Sequence, residues 1–136
     1  MAINSSTARA DIFKEFRAVI KDNILNNVKV TNSFVDDVAV LPQVVISSPM
    51  LGRERNAFGT EPNSYIRDGE LDIEIFASTT QTMTELVDEV ESSIYNNLSE
   101  LSVQNIEFGT STPALIEVGG KMVKTYVIPV SFMFRR

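Results

Sequence analysis

The sequence of 136 residues contains neither cysteine nor histidine. Without cysteine there are no disulfides, no thiolate metal sites and no cysteine nucleophile. Without histidine the chain lacks the side chain that most often acts as a general base near neutral pH, and the commonest metal ligand. Positive charge is also scarce. Lys and Arg number 12 against 18 acids, a formal net charge of −6, so the chain as a whole should repel nucleic acid rather than bind it. Long hydrophobic runs are missing too. The longest apolar stretch, Val38 to Ile46, is about half of the ~20 residues a membrane-spanning helix needs. The first seventeen residues mix Arg9, Asp11, Lys14 and Glu15, unlike a signal peptide, so no targeting segment is expected.

What remains is the composition of one globular domain. Hydrophobic residues make up 43% and charged residues 22%, and a chain of this length can bury a core without covalent staples. The first element expected is a helix from Thr7 to Asn26. Ile12, Phe13, Phe16, Val19, Ile20 and Ile24 recur at three- and four-residue spacing, with Lys14, Glu15, Arg17, Lys21 and Asp22 on the other face. That polar face is mixed in sign, which argues against a membrane-surface helix. Val28 to Ile46 is β-rich, with Val38-Ala39-Val40-Leu41 as one dense stretch. Pro42 divides it, so Val44-Val45-Ile46 should start a separate strand.

Met50 to Asp68 reads as a long irregular loop broken by Gly52, Asn56, Gly59, Pro62 and Asn63, with positive charge from Arg53, Arg55 and Arg67. Loops of this length are often functional or are ordered by a partner; the plainer reading is a hairpin. Glu70 to Ala77 alternates cleanly, with Leu71, Ile73 and Ile75 on one side and Asp72 and Glu74 on the other. Thr82 and Glu85 have capping-box spacing. Met83, Leu86, Val87, Val90, Ile94, Leu98 and Leu101 then continue one apolar helical face. Strands are expected at Val103–Phe108 and Ala114–Val118, either side of a Gly109–Pro113 turn. Gly119-Gly120 marks a two-residue hairpin leading into a last strand, Lys121 to Phe134. That strand is apolar on both faces, with Tyr126, Ile128, Val130, Phe132 and Phe134 on one and Val127 and Met133 on the other. It should therefore be a central strand or one covered by a neighbouring subunit. Pro129 within it favours an edge or a bulge at that point.

The fold class expected is α+β: a single domain spanning residues 1–136, a mixed β-sheet with two helices packed on one face, a long loop at about 50–68 and a C-terminal β-hairpin. A strand–helix–strand crossover links the strand near residues 71–77 to the one near 103–108.

Catalytic templates fail on residue type. Histidine-dependent triads and dyads are excluded, and neither a Walker-type Gly-Lys-Ser/Thr loop nor a Gly-x-Gly-x-x-Gly turn is present. Carboxylate pairs occur at Asp36-Asp37, Asp72 with Glu74, and Asp88 with Glu89, which keeps a small metal-dependent hydrolase as a minor reading. No catalytic residue, metal or cofactor is expected.

Pro42-Gln43-Val44-Val45-Ile46-Ser47-Ser48-Pro49, a long loop, Gly69-Glu70-Leu71-Asp72-Ile73-Glu74-Ile75-Phe76-Ala77 and then Leu86-Val87-Asp88-Glu89-Val90 together resemble the tail terminator, or tail completion, proteins of tailed viruses. The likeness extends over most of the chain, and its signature is a pattern of apolar positions and turns rather than a catalytic motif. It implies a non-enzymatic structural virion protein forming a hexameric ring at the head-proximal end of the tail tube. The ring would be assembled in the host cytoplasm, stop tube polymerisation and offer a joining surface to the neck. The implied partners are further copies of itself, the tube protein and a head–neck connector or stopper. DNA would pass through the channel without specific binding, and no membrane is involved. A connector or stopper, or a tube subunit, is the alternative role. The family supplies no residue-level site. Interface positions are therefore expected from placement alone: Arg53, Arg55, Phe58 and Tyr65 in the loop, and Phe132, Phe134, Arg135 and Arg136 at the end.

Overall fold

The computed structural model describes residues 7–24, 28–32, 41–56, 65–111 and 113–135; for residues 53–56, 65 and 135 it describes the backbone alone. Helix α1 (Ala8–Asn23) buries Ala8, Ile12, Phe16, Val19 and Ile20, the stripe its spacing dictates. It ends where Ile24 turns extended and Asn23 Nδ2 donates to the Val19 carbonyl at 2.7 Å. The strands are β1 (Lys29–Thr31), β2 (Gln43–Ile46), β3 (Met50–Asn56), β4 (Tyr65–Ala77), β5 (Gln104–Phe108), β6 (Ala114–Val118) and β7 (Lys121–Arg135), with helix α2 (Thr80–Asn96) between β4 and β5. Together the strands make a mixed sheet in which, among the described residues, the β1–β2 pairing is parallel and the other pairings are antiparallel. The α+β class with two helices on one face is what the structure has.

The expected loop at residues 50–68 is corrected at both ends. Met50–Asn56 is strand β3, and Tyr65–Asp68 begins β4, so the chain forms the two arms of an antiparallel pairing. Gly52 sits where the register shifts between Leu51 and Glu54, and Arg67 Nε donates to its carbonyl at 3.1 Å. The glycine is thus absorbed as a bulge rather than ending the strand. Residues 57–64, like the expected strand around Val38-Ala39-Val40, lie outside the described residues.

The centre of the sheet is the antiparallel ladder of β4 and β7, paired from Ile66↔Arg135 to Ala77↔Lys124. Each has two short strands end to end on its outer edge: β2 and β3 beside β4, β5 and β6 beside β7. β7 is therefore a central strand, and its apolar character on both faces needs no neighbouring subunit. β4 and β5 both run antiparallel to β7, so they are parallel to each other with β7 inserted between them. The strand–helix–strand unit through α2 is present, but it is split.

Both outer edges are interrupted at one transverse row. Ser47 N donates to the Asp72 carbonyl at 2.9 Å and Ser47 Oγ accepts from Asp72 N at 2.8 Å, bridging β2 to β3. Asp72 pairs with Pro129, and on the far side Gly109 N donates to the Pro129 carbonyl at 2.8 Å, between β5 and β6. The backbone groups of Asp72 thus point away from Pro129. The missing N–H of Pro129 faces the outer break, which is how a proline fits inside a central strand. Gly109 packs closely there: a Cβ would come within 3.2 Å of the Pro129 ring.

Helix α2 starts one turn earlier than its sequence suggests. Thr79, extended at φ −128° and ψ 154°, is the N-cap, and its hydroxyl accepts from Thr82 N at 3.1 Å. Thr82 is therefore the third residue of the first turn, and the Thr82–Glu85 box is not the cap. The helix also stops sooner, at Asn96, where Asn97 Nδ2 donates to the Ser93 carbonyl at 2.8 Å. Leu98 then falls off the apolar face, 45% exposed, in a short 3₁₀ turn (Leu98–Glu100), while Leu101 regains the core. The Gly119-Gly120 turn has φ +57° and +79°, the left-handed values that a type I′ hairpin requires.

The main core lies between the helices and one sheet face, where Leu71, Ile73, Ile75, Ile128, Val130, Phe132 and Phe134 meet Phe16, Ile20, Leu86, Val90 and Ile94. Each such side chain stabilises the fold by roughly 1.5–3 kcal/mol relative to exposure. On the opposite face a smaller cluster forms from Val45, Phe76, Val118 and Val123. Glu15 Oε1 ties α1 to the chain after α2, accepting from Ser102 N at 2.7 Å.

Candidate functional site

Strand parity decides what each side chain of the sheet can reach. Phe132 and Phe134 lie on the helix-covered face, 2% and 1% exposed, with the Phe132 ring 5.9 Å from Phe16 and 6.5 Å from Phe134. They hold the subunit's own core, which corrects the expectation that they face another subunit. Alternation along β7 puts them on the same face as Ile128 and Val130. Arg53 and Arg55 fall on β3, with Arg55 paired to Ile66. Tyr65 pairs with Asn56, and Arg135 with Ile66 from the other side. Backbone register therefore gathers Arg55, Tyr65 and Arg135 at one end of the sheet, while Phe58 and Arg136 lie outside the described residues.

The helix-free face carries a different set. In β4, Asp68, Glu70, Asp72 and Glu74 share it by alternation, and Glu107 of β5 joins them across β7. One row runs straight across four strands: Met50, Glu70, Ser131, Glu107. All four are exposed, Met50 at 64%. Glu70 and Glu107 flank the same serine from opposite sides, two strand spacings or roughly 10 Å apart. The row lies in an open depression of about 720 Å³ whose rim includes Asn105 and Met133. Asn105 makes the rim by taking φ +52° where the β5 register shifts, a conformation asparagine tolerates better than most residues.

The opposite end of the sheet exposes apolar surface. β4 ends at Ala77 opposite Lys124, so the β6–β7 hairpin continues past the ladder to its turn. Val118 and Val123 point into the smaller cluster. On the other side of the hairpin, Leu115 is 51% and Met122 57% exposed, next to Lys124 and Glu117 in the paired rows. Among the described residues the outer edge of β6 has no strand partner. A third exposed apolar spot is Tyr95 with Leu98 at the end of α2, where Tyr95 meets Phe108 edge-on at 5.0 Å.

Among the described residues no group of three or more acids is placed to hold a metal ion. Asp88 and Glu89 lie on α2, Asp72 and Glu74 alternate along β4, and Asp36-Asp37 lie outside the described residues. The carboxyl of Glu91 is raised above its ordinary value of 4.5 by partial burial and then by Asp88 one turn earlier. No described helix is long and apolar enough to cross a membrane. Neither a family model nor a curated protein matches the chain.

Proposed function

We propose that the protein is a structural subunit that works by assembling into a ring, and that the ring terminates a viral tail tube at its head-proximal end. One observation carries the assembly half of this reading. The β6–β7 hairpin leaves Leu115 and Met122 more than half exposed beside a strand edge that has no partner among the described residues, although the same chain buries Val118 and Val123 on the hairpin's other side. Unpaired edges with apolar side chains are a liability for a monomer and a resource for an assembly. The viral half rests on the likeness of the segments around Pro42–Pro49, Gly69–Ala77 and Leu86–Val90 to tail terminators. In that role the chain needs no catalytic group, and its net charge of −6 lets DNA pass without sticking.

The test is the mass and shape of the purified protein, alone and with a tail tube protein. Light scattering should give a species near six times 15.1 kDa, and negative-stain images should show rings. A strictly monomeric protein under both conditions overturns the reading. Filaments formed by the chain alone would assign it to the tube instead.

A further inference from the structure

We infer that the β6–β7 hairpin of one copy docks into the acidic depression of the next, with Lys124 placed between Glu70 and Glu107 across Ser131. This inference rests on the ring reading and names the two surfaces that would build the ring. The occupant is a second copy of this chain, and three observations select it. First, the two uncovered surfaces lie at opposite ends of one sheet and on opposite faces: the depression on the helix-free face at the β3–β5 end, Leu115 and Met122 on the helix side at the β6 end. Surfaces arranged in this way cannot meet through a two-fold axis that pairs each with itself. They meet head to tail, the contact that closes rings.

Second, they are complementary in charge. The hairpin's exposed side carries Lys124 in register with Leu115, whereas the depression is acidic on both sides of Ser131, with Asp68, Glu70 and Glu107 the charged groups among the described residues that line it. Third, they are complementary in apolar content. Met50 and Met133 border the depression, and their unbranched side chains adapt to a partner such as Leu115 and Met122. Glu117 lies one row nearer the turn, in register with Met122, and Lys124 is the cation that this side of the hairpin offers to Glu70 and Glu107. Tyr95 and Leu98 remain outside this contact.

Charge exchange tests the inference directly. Lys124→Glu alone, and Glu70→Lys with Glu107→Lys, should each raise the concentration needed for half-assembly by roughly tenfold or more. The three substitutions combined in one chain re-create the contact with its polarity reversed and should restore assembly to within about threefold of the parent protein. Met122→Ser should weaken assembly whatever the charges, whereas Leu98→Ser should leave it unchanged. All are read by light scattering at matched concentrations, after circular dichroism and thermal melts verify folding. Rings in the parent protein that are indifferent to both charge reversals, or a combined variant no better than either parent variant, overturn these surfaces and leave the ring reading standing. A parent protein that stays monomeric with and without tube protein overturns both.

Discussion

The row Ser47–Asp72–Pro129–Gly109 divides the sheet into two halves, and the halves treat their helix-free face in opposite ways. Towards β2 and β6, Val45, Phe76, Val118 and Val123 bury it in a second cluster. Towards β3 and β5, the same two central strands present Glu70 and Ser131 to solvent, with Glu107 of β5 beside them. Phe76 and Glu70 lie six residues apart on one face of one strand. A single period-two register therefore serves two purposes, and what changes is the side chain placed on it. One half completes the subunit; the other is left open.

Truncation on that shared face should separate the halves most sharply. Phe76 is 5% exposed, and Phe76→Ala should cost about 3–5 kcal/mol through lost burial and the cavity left behind. Glu70→Ala should shift stability by no more than about 0.5 kcal/mol. Urea titrations of both variants measure the difference. Equal losses would mean that the open half also needs its helix-free face for folding.

On the helix-covered side the open half should be the less forgiving one. A Cβ on Gly69 would lie 2.4 Å from Cε2 of Phe132. That ring has little room to move, because Phe16 and Phe134 pack against it. Gly69→Ala should therefore destabilise by roughly 1–3 kcal/mol, the usual cost of overpacking. Phe132→Leu should remove part of that penalty in the double variant while being harmful alone. A double-mutant cycle reads the coupling, and strict additivity would contradict the contact.

Gly69 also shows where sequence reasoning stops. In the sequence it marks the release of a strand from a loop; in the structure it lies within β4, where the close ring of Phe132 requires it. That requirement comes from a residue 63 positions away and leaves no local signal. What depends on local spacing was legible: the stripe of α1, the alternation of Leu71, Ile73 and Ile75, and the Gly119-Gly120 turn. What depends on competition between equivalent signals was not. Thr79 and Thr82 both suit a cap, and only the extended backbone at Thr79 settles the choice. The irregular composition of 50–56 hid a strand because pairing to β4 supplies what local propensity lacks. The candidate surfaces were less legible still. Leu115 and Met122 look like ordinary strand residues until the ladder is seen to end at Ala77, and Phe132 and Phe134 seemed available until the helices covered them.

The dividing row itself offers the smallest and most specific perturbation. Ser47 replaces a strand residue at the break between β2 and β3, using its hydroxyl to accept from Asp72 N at 2.8 Å and its own N–H to reach the Asp72 carbonyl. Ser47→Ala keeps the backbone bond and removes the acceptor. Asp72 is exposed, so water can take over the freed N–H, and the loss should be about 0.5–1.5 kcal/mol rather than the larger penalty of a buried orphan. Hydrogen exchange gives the sharper readout. Protection should fall at Asp72 N while Ile73 and Leu71, held in the β4–β7 ladder, change little. A loss of protection spreading through β2 and the Val45–Phe76 cluster would mean that the serine couples the two halves instead of merely bridging a gap in one edge. The row would then be a joint on which both halves depend, and the independence of the open half would have to be abandoned.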